Sequence, residues 1–519
     1  MKLLSLFSNA TLLSAVIILS ADISCASGDK ETSLQTYAEN CIINGTKIIT
    51  LQDRSVNLTS TFNDCYQGKD SSNPLVWYFV GHMQLHGIGA SPNLTEGLKF
   101  LEKAGYQSHP AAQKELADYY LTGGGVKSRI NMKKALEWLS RLALNKKAEY
   151  SPEATFRLCS IYLFGTGVDT DYERALTWCR KSGIQQHNYD GLTNLALMYI
   201  NGWGTSKDPG LAIDYYTTAA KHGVISAQLS LGRAYSLGTD VPADYKLAFQ
   251  WMAKAAGAGN PLAMFYLGEM YEYGQGVEQD RKSARKLYQK AADLGEPGAQ
   301  YILGRIYQYG DNPNLDYAAK WYHKAAAQNN SDAMIAIGDL YISQNSREMM
   351  KWYRRAAALG NNDGALRQIP YLLTGSRDFS PQPEEALTIA QHLAQKQISG
   401  GHYWLGIIYR DGLAGTADPE KAQYELSTAA QLGNTDAALA LGESCLKGVF
   451  DSCDNNDAEK YLKQASDAGC IKNSCLLLGQ LYISRNRNDD AVLILDQDQN
   501  NPDENIQKER KELLKKLGK

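Results

Sequence analysis

The chain has 519 residues, 44% of them hydrophobic and 21% charged, with a formal net charge of −3. That balance supplies enough apolar surface for a folded core and excludes a disordered chain. It gives no electrostatic reason to expect nucleic acid or an anionic membrane surface as a partner.

The N-terminus reads as an export signal. Lys2 is a minimal basic n-region, Leu12 to Leu19 is a mostly apolar h-region, and Ser24-Cys25-Ala26 offers small residues at the cleavage positions. The cut is placed after Ala26, so residues 1–26 are a signal peptide and the mature chain is periplasmic or secreted. Asp22-Ile23-Ser24 fits a lipobox poorly, which argues against lipidation at Cys25. No later stretch reaches the roughly 18 apolar residues that a membrane span needs, so the mature chain is expected to lack a transmembrane segment.

Residues 27–73 carry no repeat. They hold Cys41, Cys65, a β-prone run (Ile48-Ile49-Thr50-Leu51) and a polar end from Gly68 to Pro74. This segment is expected to be a cap closed by a disulfide, because a stack of repeats otherwise exposes an apolar end.

From Pro74 one phrase recurs about every 36 residues. Its first half is A-x-x-x-L-G-x-x-Y-x-x-G-x-G; its second is A-x-x-W-Y-x-K-A-A followed by Gly. The small slot after the Leu falls at Gly81, Ala117, Cys159, Ala196, Gly232, Gly268, Gly304, Gly338, Pro370, Gly406, Gly442 and Gly479. Such a period predicts an all-α solenoid of about twelve helical hairpins with terminal caps. Leu262 to Pro297 shows the unit best. Leu262, Ala263, Phe265, Tyr266, Leu267, Met270 and Tyr271 space a first helix, and Gly274-Gln275-Gly276 turns the chain. Asp280 caps a second helix buried through Ala284, Leu287, Tyr288, Ala291 and Ala292, and Gly295 stops it.

Two departures divide the array. Leu142 to Pro152 inserts between hairpins. Ser343-Gln344-Asn345 replaces a Gly-x-Gly turn, Pro370 occupies a small slot, and Ser380-Pro381-Gln382-Pro383 follows. The expected organisation is a first arm over 74–342, irregular repeats and a bend over 343–398, and a second arm over 399–496. A charged capping helix then occupies 497–519, centred on Asn505 to Leu517.

After cleavage eight cysteines remain: Cys41, Cys65, Cys159, Cys179, Cys445, Cys453, Cys470 and Cys475. An even number in an exported chain without Cys-x-x-Cys favours disulfides over metal ligands. Cys159 and Cys179 occupy facing slots of one hairpin and are paired on that ground. Cys41 and Cys65 are the pair available in the N-terminal segment. Cys445 with Cys453 and Cys470 with Cys475 are the local choices, with Cys445 to Cys475 left open.

Other constellations carry less. His82 and His86 stand at i and i+4, a zinc spacing, but Met83 follows the first His where a zincin needs Glu, and no third ligand is evident. They read as helix-surface histidines. Tyr199, Tyr235, Tyr271, Tyr307, Tyr341, Tyr409 and Tyr482 share one repeat slot; Trp138, Trp178, Trp251, Trp321 and Trp352 share another. Periodic recurrence means hairpin packing. Trp203 differs, because it lies inside the turn Gly202-Trp203-Gly204, where other repeats carry a small residue; it is either an exposed binding anchor or folded onto a neighbouring turn. Gly123-Gly124-Gly125 is a turn, not a phosphate cradle, and no nucleophile elbow, Ser-x-x-Lys or P-loop occurs. Four sequons, at Asn44, Asn57, Asn93 and Asn329, matter only in a eukaryotic host.

The phrase itself, seen whole in Ala263 to Gly276 and in Trp321-Tyr322-His323-Lys324-Ala325-Ala326, resembles the Sel1-like repeat, the αα-hairpin family related to tetratricopeptide repeats. The resemblance covers roughly Pro74 to Asp496. It implies a right-handed α-α superhelix that scaffolds protein complexes, and exported bacterial members act in envelope assembly or host contact. Cysteine-rich relatives are described as binding or hydrolysing β-lactams, but they carry a Cys pair at nearly every repeat boundary. Here only Cys470 and Cys475 approach that arrangement.

The resulting expectation is a non-enzymatic exported scaffold, in the cell envelope or in contact with host proteins, with no cofactor, metal or catalytic residues. It binds a protein partner on a concave face lined by first helices, with peptidoglycan as a second ligand class and no nucleic acid. The register assigns Arg233, Glu269, Glu272, Arg305, Gln308 and Asp339 to that face, and Trp203 is a further candidate binding residue from its place in a turn. The alternatives are a β-lactam or peptidoglycan binder or hydrolase, and a eukaryotic ER-luminal quality-control adaptor.

Overall fold

A computed structural model describes residues 29–50, 56–146, 148–470, 472–499 and 501–518. The signal-peptide reading, with its cut after Ala26, lies outside them. The described residues form an all-α repeat solenoid without strands; Ser376 and Phe379 make an isolated antiparallel bridge. The chain divides into two compact units, one of Met1–Ala263 with Tyr273–Gln279, the other of Met264–Glu272 with Asp280–Lys519.

In the first unit the segment before the repeats is two helices, Asp29–Thr50 and Leu58–Gln67. The β-prone run is therefore corrected: Ile48 to Thr50 are helical. Tertiary contacts override local propensity here. Cys41 and Cys65, both fully buried, join the two helices. Phe79 of the helix Pro74–His86 packs where Gly45 leaves room, since a Cβ there would lie 2.9 Å from its ring.

Most hairpins follow one local logic. A first helix such as Pro110–Thr122 or Tyr189–Asn201 ends on a left-handed glycine, Gly123 or Gly202. The second helix starts at an Asn or Asp whose side chain accepts a backbone N–H, as Asp208 does from Leu211 at 3.0 Å. That same capping residue donates its own N–H to the packing tyrosine of the first helix. Asp208 to Tyr199, Asp244 to Tyr235 and Asp280 to Tyr271 run at 2.9, 3.0 and 2.9 Å. The fixed distance between Tyr and Asp in the repeat thus closes the turn. In several repeats a buried glutamine then ties the first helix to the end of the helix before it. Gln113 Nε2 donates to the Gly105 carbonyl at 2.9 Å, and Gln300 Nε2 to Ala292 at 3.2 Å.

The small slot is where the two helices of a hairpin touch. A Cβ on Gly268 would stand 2.6 Å from the Tyr288 ring. Gly304 faces Tyr322, Gly338 faces Tyr353, and Gly442 faces Leu462 in the same way. Cys159 and Cys179 occupy this slot in their own hairpin and are joined, with Cα atoms 4.8 Å apart. Cys445–Cys453 and Cys470–Cys475 are the remaining bonds.

Residues 343–398 lie within the second unit. The helices Asn362–Leu366 and Gln368–Thr374 are separated at Arg367. Pro370 accounts for the break: it lacks an N–H, and its ring conflicts with the carbonyl four residues back. At the C-terminal end, Glu504–Lys516 is anchored by buried Arg510, whose Nε donates to the Leu495 carbonyl.

Candidate functional site

The assigned residues separate into different environments. In the first unit Trp203 is partly buried and stacks on Tyr172, with ring centroids 5.3 Å apart and planes 10° apart. Of the two readings of Trp203, the structure shows the fold-back. Gly204 permits it, because a side chain there would meet the Tyr172 carbonyl. Arg233 is exposed on the helix Ile225–Leu237.

In the second unit Glu269 and Glu272 lie on one helix, Pro261–Tyr273. Glu272 accepts the Tyr288 hydroxyl at 2.7 Å. Glu269 is half-buried; burial first, then the negative charges of Glu272 and Glu296, push its carboxyl up to about 7.

Arg305, Gln308 and Asp339 come together. They line one depression of about 370 Å³ with Tyr301, Tyr309, Tyr322 and Arg367. Tyrosines of the second helices orient two of its polar groups. Tyr322 donates its hydroxyl to Gln308 Oε1 at 2.7 Å, and Tyr353 donates to Asp339 Oδ1 at 2.6 Å. Arg367 completes the Asp339 contact at 2.8 Å. Burial drives the phenols of Tyr322 and Tyr353 upward, so both hydroxyls stay protonated donors. Arg305 stands exposed at the rim, and Tyr309 is 70% exposed. Preset polar groups beside a bare aromatic ring suit recognition of a protein surface.

The register did not single out Tyr309 or Arg367. Tyr309 was legible: it lies two residues after Tyr307, which packs inward, and residues two apart on a helix face different sides. Arg367 was not, because it falls at the Pro370 break. A larger depression, of about 600 Å³, is lined by Arg347, Lys351, Arg354, Leu372 and Phe379. Its cations are already engaged: Arg354 holds Glu385 at 2.9 Å, Arg347 the Asp378 carbonyl at 2.9 Å, Lys351 Glu348 at 3.2 Å, and Arg355 stacks 4.3 Å from the Trp352 ring centroid.

The histidine reading also changes. His82 and His86 are not simple surface groups, since both meet Glu115 of the next repeat, at 2.9 and 2.8 Å. Sequence spacing alone gave no sign of Glu115.

A solenoid of helical hairpins closed by small-residue slots is a repeat scaffold for protein interactions. The chain belongs to the Sel1 repeat family. Ten Sel1 repeats match, at residues 78–109, 110–146, 152–187, 190–224, 225–260, 261–296, 297–330, 332–361, 399–434 and 435–470. A chitin synthase regulator of Saccharomyces cerevisiae is 34% identical over 31% of this chain and 24% of its own length. Chitin synthase regulatory factor 3 of Schizosaccharomyces pombe is 27% identical over 37% of this chain and 21% of its own. The chain thus spans about a quarter or less of these relatives. Among solved structures, a protective antigen of uropathogenic Escherichia coli displaying an SLR fold superposes with a TM-score of 0.56. It is 24% identical, covering 88% of this chain and 97% of its own, which shows the shared fold. No helix among the described residues is long and apolar enough to cross a membrane.

Proposed function

We propose that the chain is an exported scaffold that docks a protein partner on its first helices, with the depression around Arg305, Gln308 and Asp339 as the main contact. The observation that carries this is convergence. Three residues chosen by repeat register line one depression, beside exposed Tyr309. Export rests on the n-region Lys2, the apolar run Leu12 to Leu19 and four disulfides, which persist in oxidising compartments. The partner is then an envelope or host protein, with peptidoglycan as a second ligand class.

The test is in vivo crosslinking of the tagged mature protein, followed by mass spectrometry of what co-purifies. One or two dominant partners, lost with Tyr309→Ala or Arg305→Glu but retained with Arg233→Ala, support the reading. No reproducible partner sinks it. A mature N-terminus at Ser27 supports export, and an intact Met1 refutes it. The likeness to chitin synthase regulators favours a second reading, in which the partner is a polysaccharide synthase. That enzyme class would then dominate the crosslinked set.

A further inference from the structure

Two imidazoles one helical turn apart meet a third donor that no linear motif announces. His82 and His86 share a face of the helix Pro74–His86, and Glu115 rises from the helix Pro110–Thr122. Glu115 Oε1 lies 2.9 Å from His82 Nδ1 and 2.8 Å from His86 Nε2. The donor atoms all fall within 4.8 Å of one another. A zinc ion with bonds of about 2.0–2.1 Å at tetrahedral angles holds its ligand atoms roughly 3.3 Å apart. Small ring rotations supply the difference. His86 is free to make them, with half of its side chain exposed, whereas Glu115 is held at 16% exposure.

We propose that His82, His86 and Glu115 form a zinc site, with a fourth position open to water on the side of His86. The chemistry of the donors selects the ion. Two imidazole nitrogens and one carboxylate suit zinc, while calcium and magnesium take oxygen sets. The ion would replace the hydrogen bonds that now hold the three groups together. It would join the first helices of two successive repeats, next to the N-terminal helix pair. The residue after His82 is Met83, which is buried and offers no proton acceptor. The site is thus unlike the zincin arrangement, and its ligands clamp two successive repeats together. The eight cysteines among the described residues are bonded in pairs and present no thiolate to compete for the metal.

The experiment is calorimetric titration of the full chain, free of any affinity tag, with zinc chloride. Cobalt chloride spectra report the geometry. The expected result is one zinc per chain, tetrahedral cobalt bands and a melting temperature that rises with zinc and falls back with chelator. His86→Ala and Glu115→Gln should each weaken binding by roughly tenfold or more. His86→Ala removes a half-exposed ring and Glu115→Gln keeps the shape, and circular dichroism melts check that both variants fold. Absence of saturable binding overturns the proposal. So does equal zinc affinity in wild type and both folded variants.

Discussion

The hairpin at residues 152–187 and the hairpins at 297–330 and 332–361 close the same slot with different chemistry. In the first, Cys159 and Cys179 bond covalently and are fully buried. In the others, glycine yields to a tyrosine ring, and the hydroxyl emerges on the far side to organise Gln308 or Asp339. A disulfide ends at its sulfur atoms. A tyrosine fixes the crossing and also delivers an oriented donor to the surface. The same slot can therefore close a hairpin covalently or present an oriented hydroxyl to Gln308 or Asp339.

Breaking the covalent slot should give the largest loss. Cys159→Ala with Cys179→Ala opens a bond between residues 20 apart in sequence, and a loop of that size is worth about 3 kcal/mol. Hydrogen exchange in the helix Ser151–Phe164 should rise accordingly, while the second unit keeps its protection. Loss spread evenly over both units would refute a local role. Filling a glycine slot comes next. Gly304→Val drives a branched side chain into the Tyr322 ring and should cost about 2 kcal/mol by overpacking, read as a lower denaturation midpoint of the second unit.

Tyr353→Phe separates the two tasks of the tyrosine. The ring still fills the slot beside Gly338, but Asp339 loses a donor at 2.6 Å. Stability should fall by about 1 kcal/mol. Partner binding should weaken as well, because Asp339 then rests on Arg367 alone among the contacts seen here. Unchanged binding would show that Asp339 is already placed by Arg367.

A subtler contrast involves pH. Glu269 has its carboxyl raised from an ordinary 4.5 to about 7. The folded state therefore holds a proton that the unfolded state has lost across that interval. Stability from this group is full below about 4.5 and declines as pH rises through 7. Glu272 and Glu296, the charges that raise it, belong to the second unit as well. Partial solvent screening keeps the effect modest. Melting temperature against pH should flatten in Glu269→Gln relative to wild type; parallel curves would remove Glu269 as the cause.

The fold was legible because the repeat states its rules in residues. A small slot, a packing tyrosine and a capping Asp recur at fixed intervals, and the hydrogen bond from Asp280 to Tyr271 shows what the interval is for. What resisted reading depends on contacts between repeats. Ile48 and Ile49 look like strand residues until Cys41–Cys65 and Phe79 hold their segment helical. Glu115 reaches His82 across 33 positions. Arg367 owes its place to the break at Pro370, where periodicity gives no register. Trp203 was readable only as a choice of two, since a turn aromatic packs or projects according to its neighbour, here Tyr172.

The smallest effect on stability should bring the largest effect on function. Tyr309 is 70% exposed, so Tyr309→Ala removes little packing and should change stability by no more than about 0.5 kcal/mol. Yet an exposed aromatic beside a preset polar cluster is the kind of anchor that dominates protein interfaces, where single truncations cost about 2 kcal/mol or more. A folded Tyr309→Ala protein that loses its crosslinked partner would place recognition on the glycine–tyrosine hairpins. The same substitution with the partner retained would move recognition away from this depression, and exposed Arg233 in the first unit would be the next residue to alter.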